Sequence, residues 1–227
     1  MESSSMQEET NAQNTAGLPS HKSALVIFTR NPELGKVKTR LAVTVGDESA
    51  LEIYKFLLKH TASITQKLPV DKYVFYSEKV RENDIWSEHV YRKKAQQGTD
   101  LGARMLDAFE GLFSVGYEKV IIIGSDMYDL GERDLSNAFT ALDSAEVVLG
   151  PATDGGYYLL GMKQLLPKLF KEKDWGTDTV LKATLADLNN KKLTLLDERN
   201  DIDYFSDIRH LEALQHLLPD HLDNTFR

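Results

Sequence analysis

VIIIGSDMYDL, residues 120–130, joins an unbroken apolar run to a short turn that carries two carboxylates, Asp126 and Asp129. Val120 to Ile123 are β-branched without alternation, the pattern of a strand buried on both faces of a parallel sheet, and Gly124 and Ser125 close it. Asp126 then stands just past the carboxyl end of a central strand. Open α/β sheets bind their ligands along that edge, where a carboxylate can hold a hard cation against phosphate oxygens. The plainer role for the same residue is to cap the helix that follows.

Working outward, strands and helices alternate. Ala24 to Phe28, Tyr73 to Tyr76, a stretch near Tyr91, Glu146 to Pro151 and Leu193 to Leu196 read as further strands. Between them, helical stripes run from Glu48 to Leu68, from Leu101 to Leu112 behind an Asp100 cap, and through Leu135, Ala138, Phe139 and Leu142. Later stripes follow a Thr177 cap (Val180 to Leu188) and close the chain through Ile208, Leu211, Leu214 and Leu218. Glu78 to His89 reads as a loop or short helix with Trp86 plugging the core. The rhythm predicts parallel βαβ units, which bring Arg30 to Arg40, Asp126 and the loop after Leu149 to one sheet edge.

Three of those loops carry chemistry. TRNPELGKVKTRLA, residues 29–42, delivers Arg30, Lys36, Lys38 and Arg40 after the first strand, a place where basic side chains can take a nucleotide's phosphates. It is no P-loop, because Val37 follows Gly35-Lys36 where Ser or Thr is needed; a solvated basic turn is the alternative. QQGTDLGARM, residues 96–105, leaves backbone bare at Gly98 and Gly102, for tight packing or for a nucleobase. In GPATDGGYYLLGM, residues 150–162, Asp154 precedes Gly155, Gly156 and Tyr157; this is either a hairpin turn or a carboxylate placed to bind or deprotonate a substrate hydroxyl. Asp203, just ahead of the last helical stripe, can pair with Asp126 around an oxygen-loving ion, or cap that helix as Asp201 and Ser206 can.

Composition narrows the function. The 227 residues suit one domain, 23–227, behind a polar stretch, 1–22, expected to be a disordered tail without the features of an export signal. No apolar run reaches the roughly 18 residues needed to span a bilayer. A formal charge of -8 argues against nucleic acid as a partner. With no cysteine, disulfides, thiolate chemistry and cysteine zinc sites are excluded, and a cytoplasmic location is expected. The six histidines show no zinc-binding spacing.

The segments NPELGKVKTRL, QQGTDLGARM, GSDMYDL, GPATDGGYYLLGM, WGTDTVL and DIDYFSDI, in this order between about Ser23 and Leu218, resemble a bacterial family of GT-A-like transferases. That family is related to the 2-phospholactate guanylyltransferases and the molybdenum-cofactor nucleotidyltransferases. The resemblance implies a nucleotide-diphospho-sugar transferase (GT-A) fold, a three-layer α/β/α arrangement around a mostly parallel sheet, with Mg²⁺ or Mn²⁺ as cofactor. Asp126 matches the family's first metal aspartate and Asp203 its second, while Lys38 and Arg40 match a basic pair facing phosphate. Met127-Tyr128 replaces the family's usual Cys-Pro and Tyr204-Phe205 its Thr-Pro, departures that bear on loop geometry.

The expected activity is metal-dependent transfer of a sugar from a nucleoside diphosphate sugar to a small-molecule acceptor. Lys38 and Asp154 are the expected catalytic groups, and Arg30, Lys36, Arg40, Asp100, Gly102, Gly155, Gly156 and Tyr157 the expected substrate contacts. The alternatives are nucleotidyl transfer from a nucleoside triphosphate to a phosphorylated acceptor, and a non-catalytic nucleotide-sugar binding protein. Neither nucleic acid nor membrane is expected as a partner, and the sequence does not give the oligomeric state.

Overall fold

A computed structural model of the chain describes residues 20–223, so the expectation for the tail before Ser20 falls outside the described residues. Its strands are β1 (Ser23–Thr29), β2 (Asp71–Tyr76), β3 (Tyr91–Ala95), β4 (Lys119–Ile123), β5 (Val147–Pro151), β6 (Tyr157–Met162) and β7 (Leu193–Leu195). Its helices are α1 (Thr39–Val45), α2 (Asp47–Thr65), α3 (Leu101–Ser114), α4 (Glu132–Ser144), α5 (Val180–Asp187), α6 (Phe205–Ile208), α7 (Glu212–Gln215) and α8 (Asp220–Asp223), with a 3-10 turn at Pro167–Phe170.

The strands form one seven-stranded sheet in the order β3-β2-β1-β4-β6-β5-β7. Every pairing is parallel except those of β6, which runs against both β4 and β5. The sheet is therefore mostly parallel, as expected, and departs from a pure βαβ rhythm where a hairpin joins β5 to β6. Gly155 makes that turn with φ at +85°, and a Cβ there would lie 2.4 Å from the Asp178 carbonyl oxygen.

Side chains alternate across the sheet and build a core on each face. Leu25, Ile27, Ile121, Ile123, Val148 and Leu159 meet α2 and α4 through Tyr54, Leu58, Leu135 and Leu142. Val26, Val120, Ile122, Val147, Leu149 and Leu160 meet α3 and the 3-10 turn through Met105, Phe109, Leu112 and Phe170. These are the three layers. A further apolar cluster packs α1 and the outer side of α2 on Ile202, Ile208, Leu214 and Leu218, which seats the chain after β7 beside the basic loop.

Two local expectations change. The closing stripe is interrupted, because Leu211 takes an extended conformation (φ -89°, ψ 99°) between α6 and α7, although Ile208, Leu214 and Leu218 still turn inward. The helix after the Trp175 loop is preceded by Thr179 rather than Thr177, and Thr177 instead exchanges a hydrogen bond with Thr179 at 2.7 Å. Asp100 caps α3 as expected, accepting from the Ala103 amide at 2.9 Å.

Candidate active site

The strand order reverses between β1 and β4, and the loops after both strands meet at that edge. Asp126 sits in the turn after β4. A Cβ on Gly124 would lie 2.8 Å from Asp126 Oδ1, so any larger residue there would displace that carboxylate. Its neighbour Ser125 is buried and shares a hydroxyl cluster with Thr29 and Tyr54: Tyr54 Oη lies 3.1 Å from Thr29 Oγ1 and 3.2 Å from Ser125 Oγ, and accepts from the Arg30 amide at 2.9 Å. One tyrosine from α2 thus ties together the ends of β1 and β4.

The chain after β7 is brought back across the sheet to the same point. The Arg199 amide donates to the Pro151 carbonyl at 3.1 Å, and the Ile202 amide reaches the Asp126 carbonyl at 3.4 Å. The Arg199 guanidinium also pairs with Asp129 at 3.3 Å and Asp134 at 3.0 Å, clamping this segment to the turn that carries Asp126. Asp201 and Asp203, two residues apart, arrive together as a result. One carboxylate oxygen from each of Asp126, Asp201 and Asp203 lies within 4.8 Å of the others.

Lys38 projects into this acidic group. Its Nζ donates to Asp126 Oδ2 at 2.9 Å and to Asp203 Oδ1 at 3.1 Å, and only 5% of its side chain is exposed. The backbone of Lys38 is left-handed (φ 48°, ψ 43°), an uncommon conformation for lysine. Burial opposes its charge, but the two carboxylates outweigh burial and raise its pKa. Burial likewise works against charge on Asp126, yet Lys38, with Arg30 behind it, holds that carboxyl below its ordinary value. Asp201 shows the reverse: burial and the neighbouring Asp126 and Asp203 push its carboxyl up to about 6, and Asp154 adds to the effect.

The other predicted residues divide. Arg40 joins the centre, bonding Asp203 Oδ2 at 2.9 Å with its guanidinium 5.7 Å from the Tyr204 ring centroid. Arg30 contributes its charge at the same edge. Lys36 does not join, pairing instead with Glu33 at 2.6 Å and Glu78 at 3.8 Å. Asp154 Oδ1 accepts from the Gly156 amide at 2.8 Å, so it makes the turn, while its charge still reaches Asp201. Tyr157 donates to Met105 Sδ at 3.8 Å, and burial raises its pKa. Gly102 is covered by Trp175, whose Nε1 lies 2.4 Å from where a Cβ would be.

Sequence reasoning passed over Asp201 as a ligand, and Tyr54 and Arg199 as supports. The signal for Asp201 was its spacing: in an extended chain, residues i and i+2 share a side. An all-oxygen set of three carboxylates around a buried ammonium fits a hard divalent cation, with Asp126, Asp201 and Asp203 as its holders.

Residues 60–177 match the family described as "Uncharacterized protein conserved in bacteria (DUF2064)". No curated protein matches the chain in sequence. Among solved structures, a Desulfovibrio desulfuricans G20 protein labelled a nucleotide-diphospho-sugar transferase is similar, at 29% identity and a TM-score of 0.79, over 90% of this chain and 98% of its own. The 4-diphosphocytidyl-2C-methyl-D-erythritol synthase of Anaerococcus prevotii DSM 20548 is 12% identical with a TM-score of 0.53, over 82% and 92%. Rv0371C of Mycobacterium tuberculosis H37Rv, solved with manganese, is 11% identical with a TM-score of 0.53, over 83% and 97%. The fold is that of the nucleotide-diphospho-sugar transferases, the GT-A type.

Proposed function

The chain belongs to the bacterial DUF2064 family, and from that footing we propose that this enzyme transfers a sugar from a nucleoside diphosphate sugar to the hydroxyl of a small acceptor. The observation that carries the reading is the meeting of Asp126, Asp201 and Asp203 with Lys38 and Arg40 at the reversal point of the sheet. A Mg²⁺ or Mn²⁺ ion held by the three carboxylates would neutralise charge on the diphosphate as it leaves. Lys38 and Arg40 place two further cations on the same edge, where phosphate oxygens of the leaving nucleotide can take them.

Asp154 is the acceptor-side group. One oxygen is fixed by the Gly156 amide, which orients the carboxylate and leaves the other oxygen for an acceptor hydroxyl. In an inverting transfer the acceptor oxygen bonds to the anomeric carbon, the bond to the diphosphate breaks, and the acceptor proton passes to Asp154. Arg30 adds positive charge beside Asp126 and helps to draw an anionic donor to the edge.

A second reading is favoured by the depth of Lys38. An ammonium set directly between two metal-holding carboxylates also suits nucleotidyl transfer, in which an ionised acceptor attacks the α-phosphorus of a nucleoside triphosphate. Thermal unfolding against nucleotide sugars and triphosphates, each with Mn²⁺ and with chelator, identifies the donor. The by-product then separates the chemistries: nucleoside diphosphate marks sugar transfer, pyrophosphate marks nucleotidyl transfer. A chain stabilised by neither class of donor in the presence of metal would refute both.

A further inference from the structure

A cavity of about 210 Å³ lies between α2, the carboxyl ends of β1 and β2, and the loop of residues 77–90. Its apolar lining comes from Leu58, Ile85 and Trp86, of which Leu58 and Trp86 are buried and Ile85 is exposed. Its walls are cationic: Arg30, Lys55, Lys59 and Arg81 all line it. The carboxylate in the lining, Asp84, is already committed. It accepts from the Tyr76 hydroxyl at 2.5 Å and pairs with Lys93 at 2.9 Å, and it also takes the Trp86 amide at 3.1 Å.

The cations are less committed. Lys55 pairs with Glu52 at 2.7 Å through two solvent-exposed side chains, a weak interaction. The Arg81 guanidinium donates to the Pro32 carbonyl at 3.5 Å and its charge reaches Glu33, and the Lys59 side chain makes no hydrogen bond or ion pair among the described residues. Four cationic side chains therefore line one crevice, and Lys59 in particular has no carboxylate partner among the described residues. The crevice lies at the carboxyl ends of β1 and β2, where Thr29 and Tyr76 line it, one strand over from the reversal point, and Arg30 is common to it and the acidic centre.

We propose that this pocket is a binding site for a small organic phosphate, with the phosphate on Lys59 and Arg81 and an apolar body on Leu58, Ile85 and Trp86. A dianionic phosphate suits such a charge surplus better than a monocarboxylate does, because each oxygen can accept a charge-assisted hydrogen bond. The apolar lining adds selectivity for an ester over inorganic phosphate, since the apolar body leaves water on binding. Binding there needs no metal.

Phenyl phosphate is the probe, with inorganic phosphate and benzoate beside it. The chain has two tryptophans, so Trp175→Phe leaves Trp86 as the sole reporter, while calorimetry follows the unaltered protein. The expected result is a saturable change in Trp86 fluorescence with phenyl phosphate, at lower concentration than with either comparison anion. Lys59→Gln and Arg81→Gln should each weaken it about tenfold, the scale of one lost charge-assisted hydrogen bond. Both variants should keep the metal-dependent response to the nucleotide donor. No saturable change, or equal binding by both variants and the parent, overturns the proposal. Loss of the donor response in step with phenyl phosphate would make the crevice part of the donor site and overturn it as a separate one. If no nucleotide donor is ever found, the phenyl phosphate titration still gives its own answer.

Discussion

The Nζ of Lys38 lies 2.9 Å from Oδ2 of Asp126, one of the three carboxylates proposed to hold a metal ion. The ammonium thus screens the acidic group from itself. A divalent ion must compete with it for Asp126 and Asp203.

Lys38→Met is therefore expected to act in opposite directions on two measurements. Without metal, the crowded carboxylates lose their counter-charge and the protein loses about 1–3 kcal/mol of stability, read from the denaturant midpoint. With Mn²⁺ alone, the variant binds the ion more tightly than the parent, as calorimetry would show. Weaker Mn²⁺ binding in the variant would mean that Lys38 supports the metal rather than competing with it.

Asp201 gives the site a pH dependence. Its carboxyl is raised to about 6 by burial and by Asp126 and Asp203, so below that pH it holds a proton that a metal ion must displace. Apparent Mn²⁺ affinity should fall about tenfold per pH unit below this value and level off above it. Because the folded-state value lies above the unfolded one, this residue's contribution to metal-free stability declines as pH rises toward 6. Asp201→Asn should flatten both profiles.

Asp154→Asn separates turn from chemistry. Asparagine keeps an oxygen for the Gly156 amide, so melting should stay within about 0.5 kcal/mol of the parent. Removal of the proton acceptor should lower turnover by about 10²–10⁴-fold. Normal turnover in the variant would leave Asp154 a turn residue alone.

Gly102→Ala tests the packing of Trp175. The added methyl would start 2.4 Å from the indole nitrogen, so the ring must move. Overpacking of this kind costs about 1–3 kcal/mol, and the displaced indole should shift its emission toward the red. Unchanged emission and midpoint would mean that the ring gives way freely.

Most of the architecture was legible because burial periodicity is local. The stripes of α2 and α3 and the apolar runs of β1 and β4 announce themselves within about ten residues each. The direction of β6 did not, because Leu159 to Met162 are buried on both faces and such a run reads alike whichever way it points. Asp126 and Lys38 were legible from their loops. Their contact was not, since it spans 88 residues. Asp201 was passed over for a related reason: the cap expected of it suits a helix, and the chain reaches it extended, bonded through Ile202 to Asp126.

The Ile202–Asp126 bond also has a consequence for the order in which the molecule becomes itself. Asp201 and Asp203 follow the last strand, so a growing chain can pair all seven strands while Asp126 still lacks both of its partners in the acidic group. The three-carboxylate group is complete only with the segment behind Arg199 docked against Asp126.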